Sequence, residues 1–513
     1  MVFRGFFRRK MKSRGLIDRE KGAQDSLYDC IVKNIQENGE LSEKFSLPKP
    51  ITSPNIISMA DGALDGIRVY HMAGGEVHIN GLTEVLKLVS QGESVKGEAQ
   101  LMTFFAAEEA PLMLSCIDDL VQWVIENQRQ LDTKALYEFS AQLIVKSSDK
   151  ESIKFALSVL ELLYETVEKD DSLRKVILEL ALSDEFSLFA IFIVREFEKG
   201  NQEVIEITKK VHGWGRIHGI DFIDADSQEI QNWLLMEGFK NNILFDYSAR
   251  PCIEKGQLLK RLERQNIDVN QAVAIHQLIG GALSDGPVEG LIHYDQGENI
   301  LTHYLEWAGT VTPSVELIAT LLRIKETACE WPHGDSYVRK VEKLIQQPSS
   351  KEAVKVAVSY GHGFEVAQKL NIECDSEMMK AIREEFDTNY YLGRYLFQKE
   401  LFVDELVQIF EAEIPLAKIA TGPSDSLGFG PDYQQYQQLD YVLGHLAPYS
   451  GKGEGLVQAA LKSSVTHNRQ TALDLIDEWS RSGEPLSANI LAGIETLKKT
   501  EVVEEIQSRL KKL

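Results

Sequence analysis

The chain has 513 residues, 43% of them hydrophobic, enough for several domains or one extended array and enough to bury real cores. Its formal charge of −23 and isoelectric point near 5.0 weigh against a nucleic-acid binder, because most of such a surface repels a phosphate backbone. No apolar stretch reaches the roughly 18 residues of a membrane-spanning helix, and a cytoplasmic location is expected.

Residues 1–25 read as a basic flexible tail, in which Arg4, Arg8, Arg9, Lys10, Lys12 and Arg14 meet no acid before Asp18 and alternate with Phe3, Phe6 and Phe7. Such a segment either frays into solvent or touches an acidic surface, and it lacks the apolar run of a secretory signal. Residues 26–97 have a different texture. SLYDCIVKNIQEN predicts a short helix with Leu27, Ile31 and Ile35 on one face, followed by a loop at Pro48, Pro50 and Pro54. GIRVYHM and GEVHI then read as two short strands around a turn at Ala73-Gly74-Gly75, and LTEVLKLVSQ returns to helical spacing. The region is therefore expected to be a small α/β cap.

From about residue 98 onward apolar residues recur at three- and four-residue intervals, divided here into a first array, 98–330, and a second, 331–513. ESIKFALSVLELLYETV carries Ile153, Phe155, Ala156, Val159, Leu160, Leu163 and Tyr164 on one face; SLRKVILELAL carries Leu173, Val176, Ile177 and Leu180. Connectors are short and rich in Asp and Ser at positions where N-caps belong, as with Asp226 and Ser227. The stretch 203–239 reads as two amphipathic helices about a tight polar turn. Because one helix pair cannot bury its own apolar face, stacking against further pairs is expected, giving an all-α solenoid of antiparallel pairs. The longest interruption is 421–433, TGPSDSLGFGPDY, whose glycines and prolines forbid a helix.

Motifs for chemistry are sparse. Cys30, Cys116, Cys252, Cys329 and Cys374 form no CxxC pair and none has the glycine-rich setting of a haem thiolate, so reduced, mostly buried thiols are expected. Glu330-Trp331-Pro332-His333 has the spacing of a di-iron ligand pair, but Pro332 opposes the helix that would align both groups. Gly213-Trp214-Gly215, Gly361-His362-Gly363 and Gly451 to Gly455 lack the spacing and the preceding strand of a dinucleotide fingerprint, and read as turns. Tyr395 and Lys399 stand four residues apart, as in a tyrosine activated by an ammonium, without the nucleotide fold that such chemistry needs.

His212 and His218, with Trp214, Arg216 and Asp221 nearby, suggest either an acid/base or metal site or a structural joint. In the structural version Gly213 and Gly215 permit close helix approach, Trp214 packs into a neighbouring repeat and Arg216 pairs with an acid. His71 and His78 flank the expected hairpin and, without a third ligand, make only a weak metal signal. A serine-hydrolase elbow is absent.

On SLYDCIVKNIQENGEL, MADGALDGIRVYHM and VHGWGRIHGIDFID the chain resembles a family of limonene hydroxylases from bacilli, over nearly its whole length. This resemblance implies a monoterpene monooxygenase that converts limonene to carveol and perillyl alcohol, with an associated alcohol dehydrogenase activity and NAD(P)H as the redox cofactor. It transfers no catalytic residue, and a small apolar terpene is the ligand it implies. HGWGRIHGID and SVTHNRQTALDLIDEW also resemble HEAT-like helical repeats, which implies instead a non-enzymatic scaffold for a protein or peptide partner.

Overall fold

A computed structural model describes residues 26–42, 44–48, 59–72, 77–107, 110–264, 267–286, 288–359, 361–483 and 485–511, and among these the regular structure is helical throughout, without a strand. The basic tail, Pro50, Pro54 and the expected turn at 73–75 lie outside the described residues. The chain divides into two compact units, one of Met1–Pro48, Met59–Thr312 and Ala319–Ile345, the other of Lys49–Ser58, Pro313–Ile318 and Gln346–Leu513.

The first unit begins with α1 (Leu27–Asn34), α2 (Ala63–His71), α3 (Asn80–Ser90), α4 (Ser94–Phe105), α5 (Met113–Asn127), α6 (Thr133–Lys146), α7 (Lys150–Glu161) and α8 (Tyr164–Val167). It continues through α9 (Asp171–Leu180), α10 (Ser187–Val194), α11 (Gly200–Lys210), α12 (Trp214–Phe222), α13 (Gln228–Trp233) and α14 (Asp246–Lys255). Several starts are set by the connector residues that the sequence marks. Asp132 accepts from Lys134 and Ala135 N–H, Asp149 from Ser152, Asp170 from Ser172 and Leu173, and Ser227 from Ile230, each relieving backbone donors that an open helix end leaves unpaired.

Three expectations are corrected. GIRVYHM is not a strand: residues 63–71 are helical, and 77–79 precede α3 without regular structure, so the described part of the α/β cap is helical. Tertiary contacts decide against the β-propensity of Val69 and Tyr70, since helical spacing puts Ala63, Gly66 and Tyr70 on one side, against Trp214. The 203–239 stretch is three helices rather than two, because the chain is extended at Val211 and irregular at Gly213. After α13 the backbone widens into a π-helix over Leu234–Gly238. The long helix expected over 151–167 also breaks, at Leu162 and Leu163, into α7 and α8.

Two helices make the centre of this unit. α10, SLFAIFIV, is apolar on every side and buried nearly all round. In α7 every residue from Ser152 to Leu160 is buried, including Lys154. α7 packs against α4, α5, α6 and α10, and α10 in turn against α9, α11 and α12. Each Leu, Ile or Phe removed from water there contributes about 1.5–3 kcal/mol.

In the second unit the expected 421–433 loop is present over 421–430 and closes into a short 3-10 turn, Pro431–Tyr433. It is fastened by Arg469, which is 0% exposed on the helix Thr466–Arg481. All five guanidinium N–H groups are used: Nε and Nη2 reach the Glu501 carboxylate at 2.7 and 2.9 Å, Nη1 reaches the Ser463 and Ser464 carbonyls, and Nη2 also reaches the Ser424 carbonyl at 2.7 Å. Arg469→Met therefore strands Glu501 and three carbonyls, and the unfolding free energy in urea is expected to fall by about 3–5 kcal/mol. The double variant with Glu501→Leu should recover part of that loss; a single variant as stable as the parent would show the pair to be dispensable.

Candidate functional site

Lys154 is 1% exposed, and its ammonium meets Asp65 at 2.7 Å, Glu151 at 2.8 Å and Glu185 at 2.6 Å. Lys150, one turn earlier, bridges Glu185 and Asp61, both at 2.8 Å. A buried ammonium is tolerable only when its three donors find anionic acceptors, and here they do. Two lysines thus tie α2 and the segment before α10 to α7. Burial, reinforced by Glu151 and Glu185 and only partly offset by Lys154, pushes the Asp65 carboxyl up to about 6. Burial opposes ionisation of Glu185 too, but Lys154 and Lys150 outweigh it and hold that carboxyl at about 2.

Next to this cluster α12 is clamped at both ends by side chains from elsewhere. Asp184 accepts the Gly215 N–H at 2.7 Å at its N-terminus. Lys255 donates to the carbonyls of Ile220, Asp221 and Ile223 at 2.7, 2.7 and 3.0 Å at its C-terminus. Anion at the positive end and cation at the negative end both complement the helix dipole. The approach is close, as the sequence anticipates: a Cβ on Gly213 would lie 2.5 Å from the Asp184 carboxylate, and one on Gly215 2.4 Å from Ser187 Oγ. Burial pushes Asp184 from its ordinary 3.8 up to about 6, against the pull of the Gly215 and Gly213 N–H groups.

Asp61, Asp184 and α12 meet at an open cleft of about 290 Å³. Its apolar wall includes Leu41, Phe45, Leu182, Val211, Trp214 and Ile243; Lys210, His212 and Asn242 supply polar groups. That volume sits at the low end of the roughly 300–1,000 Å³ of small-molecule sites. Trp214, 6% exposed, is held from behind by α2, where a Cβ on Gly66 would stand 2.1 Å from the indole. Tyr70 stacks on the same ring and on His218, while its hydroxyl donates to Asp221 at 2.7 Å.

The histidines of 212–218 separate. His212 faces the cleft, 3.6 Å from Glu40. His218 is buried, its value is pushed by burial down to about 4, and its Nε2 has no partner among the described residues. The two therefore form no joint acid/base pair. Trp214 packs against Gly66 of α2 and against Tyr247, and Arg216 donates to the Lys240 carbonyl at 3.0 Å and lies over the Trp233 ring rather than pairing with an acid. His71 ends α2 and meets the Tyr247 hydroxyl at 2.7 Å; His78 stands beyond it, exposed.

Elsewhere, His333 pairs with Glu298 outside any helix, so Glu330 and His333 share no helix face. Lys399 pairs with Asp375 at 2.5 Å and Tyr395 with Arg394 and Glu365, so neither serves the other, and burial raises the Tyr395 phenol. Among the described residues no group of three or more His, Cys, Asp or Glu is placed to hold a metal ion. Cys116, Cys252 and Cys374 are buried and Cys329 exposed, and burial pushes the Cys116 thiol up to about 12.

A dinucleotide at Gly213-Trp214-Gly215 does not fit, because Asp184 occupies the N-terminal donors of α12 that a pyrophosphate would need. Asp184, Lys154 and Lys210 carry no motif. The one available signal was Lys154, a lone cation inside the run IKFALSVL.

Lys154→Met leaves the buried Asp65 without its cation, removes one of the two lysines that hold Glu185 and frees the half-buried Glu151, and is expected to lower the urea-unfolding free energy by about 3–5 kcal/mol; an unchanged midpoint would mean that the cluster is hydrated. For Asp184 the native state holds the proton more tightly than the unfolded chain between about pH 4 and 6. Its contribution to stability is therefore full below that window and is lost as the pH rises through it. Relative to Asp184→Asn, the parent is expected to lose up to roughly 2–3 kcal/mol across the window, at ~1.4 kcal/mol per pKa unit; a constant difference would place the titration elsewhere. No protein-family model, no curated protein and no solved structure matches this chain.

Proposed function

We propose that the cleft of the first unit binds a small, largely apolar molecule. The observation that carries this reading is the composition of the cleft: Phe45, Leu182, Val211, Trp214 and Ile243 offer apolar surface, with a few polar groups to orient a ligand. The resemblance to limonene hydroxylases gives the ligand a class, a monoterpene, and an activity, hydroxylation of limonene to carveol and perillyl alcohol with onward oxidation by NAD(P). That activity rests on the resemblance, and no step through NAD(P)H is assigned to residues of this chain.

A second reading is a non-enzymatic, HEAT-like scaffold whose helical pairs stack as a solenoid and present a surface to a protein or peptide. What favours it is that the ionised groups around the cleft already serve the fold: Asp61 and Glu185 hold Lys150, and Asp184 caps α12.

One experiment separates the two. Limonene depletion from the headspace above the protein measures binding directly, and the same vials, supplied with NAD(P)H and host extract, are assayed for carveol and perillyl alcohol. Saturable uptake is expected for the parent and loss of uptake for Leu41→Trp, which fills the cleft from its non-helical wall. Neither uptake nor product would leave the scaffold as the reading.

A further inference from the structure

Four side chains of the cleft are ionisable, and three are already engaged. Asp61 accepts from the Leu47 N–H at 2.8 Å and from Lys150. Asp184 accepts from Gly215, with Gly213 against its other oxygen. His212 faces Glu40. Lys210 differs: it ends α11 at the cleft wall, and among the described residues its ammonium has no hydrogen bond and no ion pair.

We infer that Lys210 is the polar anchor of the cleft and that its ligand is an apolar skeleton bearing one uncharged oxygen acceptor, a hydroxyl or a carbonyl. This rests on the reading of the cleft as a small-molecule site. An ammonium has three donors and no acceptor, so a pure hydrocarbon laid over it removes water and returns no hydrogen bond. A carboxylate ligand would gain Lys210 but would enter a space bordered by Asp61 and Asp184, with Glu40 beside His212; like charges at such range oppose it. A neutral oxygen accepts a hydrogen bond from the ammonium without that repulsion, while Phe45, Trp214 and Ile243 cover the carbon skeleton. Lys210 is thus a positioning residue that selects among ligands of similar shape.

The test compares one skeleton in three oxidation states, limonene, carvone and perillic acid, on the parent, Lys210→Met and Lys210→Arg, by calorimetry and headspace depletion. Carvone is expected to bind the parent about tenfold more tightly than limonene, the size of one hydrogen bond to a charged donor. Lys210→Met should erase that preference without weakening limonene, and Lys210→Arg should keep part of it. An equal carvone-to-limonene ratio in the parent and Lys210→Met overturns the assignment, as does tightest binding of perillic acid. If limonene binds without any preference for the ketone, only Lys210 loses its role. If none of the three binds, the small-molecule reading of the cleft falls with it. Lys210 lies outside the buried clusters, so the urea midpoint of all three proteins should coincide and separate lost selectivity from lost folding.

Discussion

The first unit depends on one desolvated cation. Lys154 projects from the buried run Ser152–Leu160 of α7 and is neutralised by carboxylates of α2, of α7 itself and of the segment before α10. Taking an ammonium out of water costs several kcal/mol, and a buried ion cluster replaced whole by apolar residues is often at least as stable. What the ion cluster adds is geometry. α2 offers the core little more than Ala63, Gly66 and Ile67, while Leu64 and Val69 stay exposed. Its position comes from polar contacts at successive turns: Asp65 to Lys154, Arg68 to Ser115, Tyr70 to Asp221 and His71 to Tyr247.

That placement sets the cleft. With α2 fixed, Asp61 stands at the cleft wall and Gly66 meets the Trp214 indole, so the ring is braced from behind. α12 is nine residues long and too short to persist alone in water. Asp184 and Lys255 supply what its length does not, one charge at each end, and the ring of Trp214 is oriented by a helix whose ends are tied to other elements. Cluster and clamp share a segment, Asp184-Glu185, in which adjacent residues serve α12 and the two lysines.

Local features were legible in the sequence and convergent ones were not. Asp132, Asp149, Asp170 and Ser227 cap within three residues of themselves, and the 421–430 interruption is written in its own glycines and prolines. α2 was misread as a strand because Val69, Tyr70 and the glycines beyond them carry the local β and turn signals, whereas the contacts that favour the helix come from Trp214 and Lys154, some 90 to 150 residues away. Lys154 escaped for another reason. A face-by-face reading assigns each polar position to solvent, and a helix buried on every side has no solvent face. The cleft draws on 41–42, 45–46, 60–61, 182–184, 210–214 and 242–243, a set with no spacing to recognise.

Asp184 shows why a displaced pKa is not by itself a catalytic signature. A carboxyl brought to about 6 in a cleft has the value expected of a general base. Its surroundings give that value another cause, because burial raises it while the N–H groups of Gly215 and Gly213 engage its two oxygens as the cap of α12. Withdrawing Asp184 for chemistry would uncap α12 beside the Trp214 ring that shapes the site. Lys210 is under no such constraint. No contact among the described residues requires its ammonium, so the cleft's capacity to choose a ligand rests on a side chain that the fold leaves uncommitted.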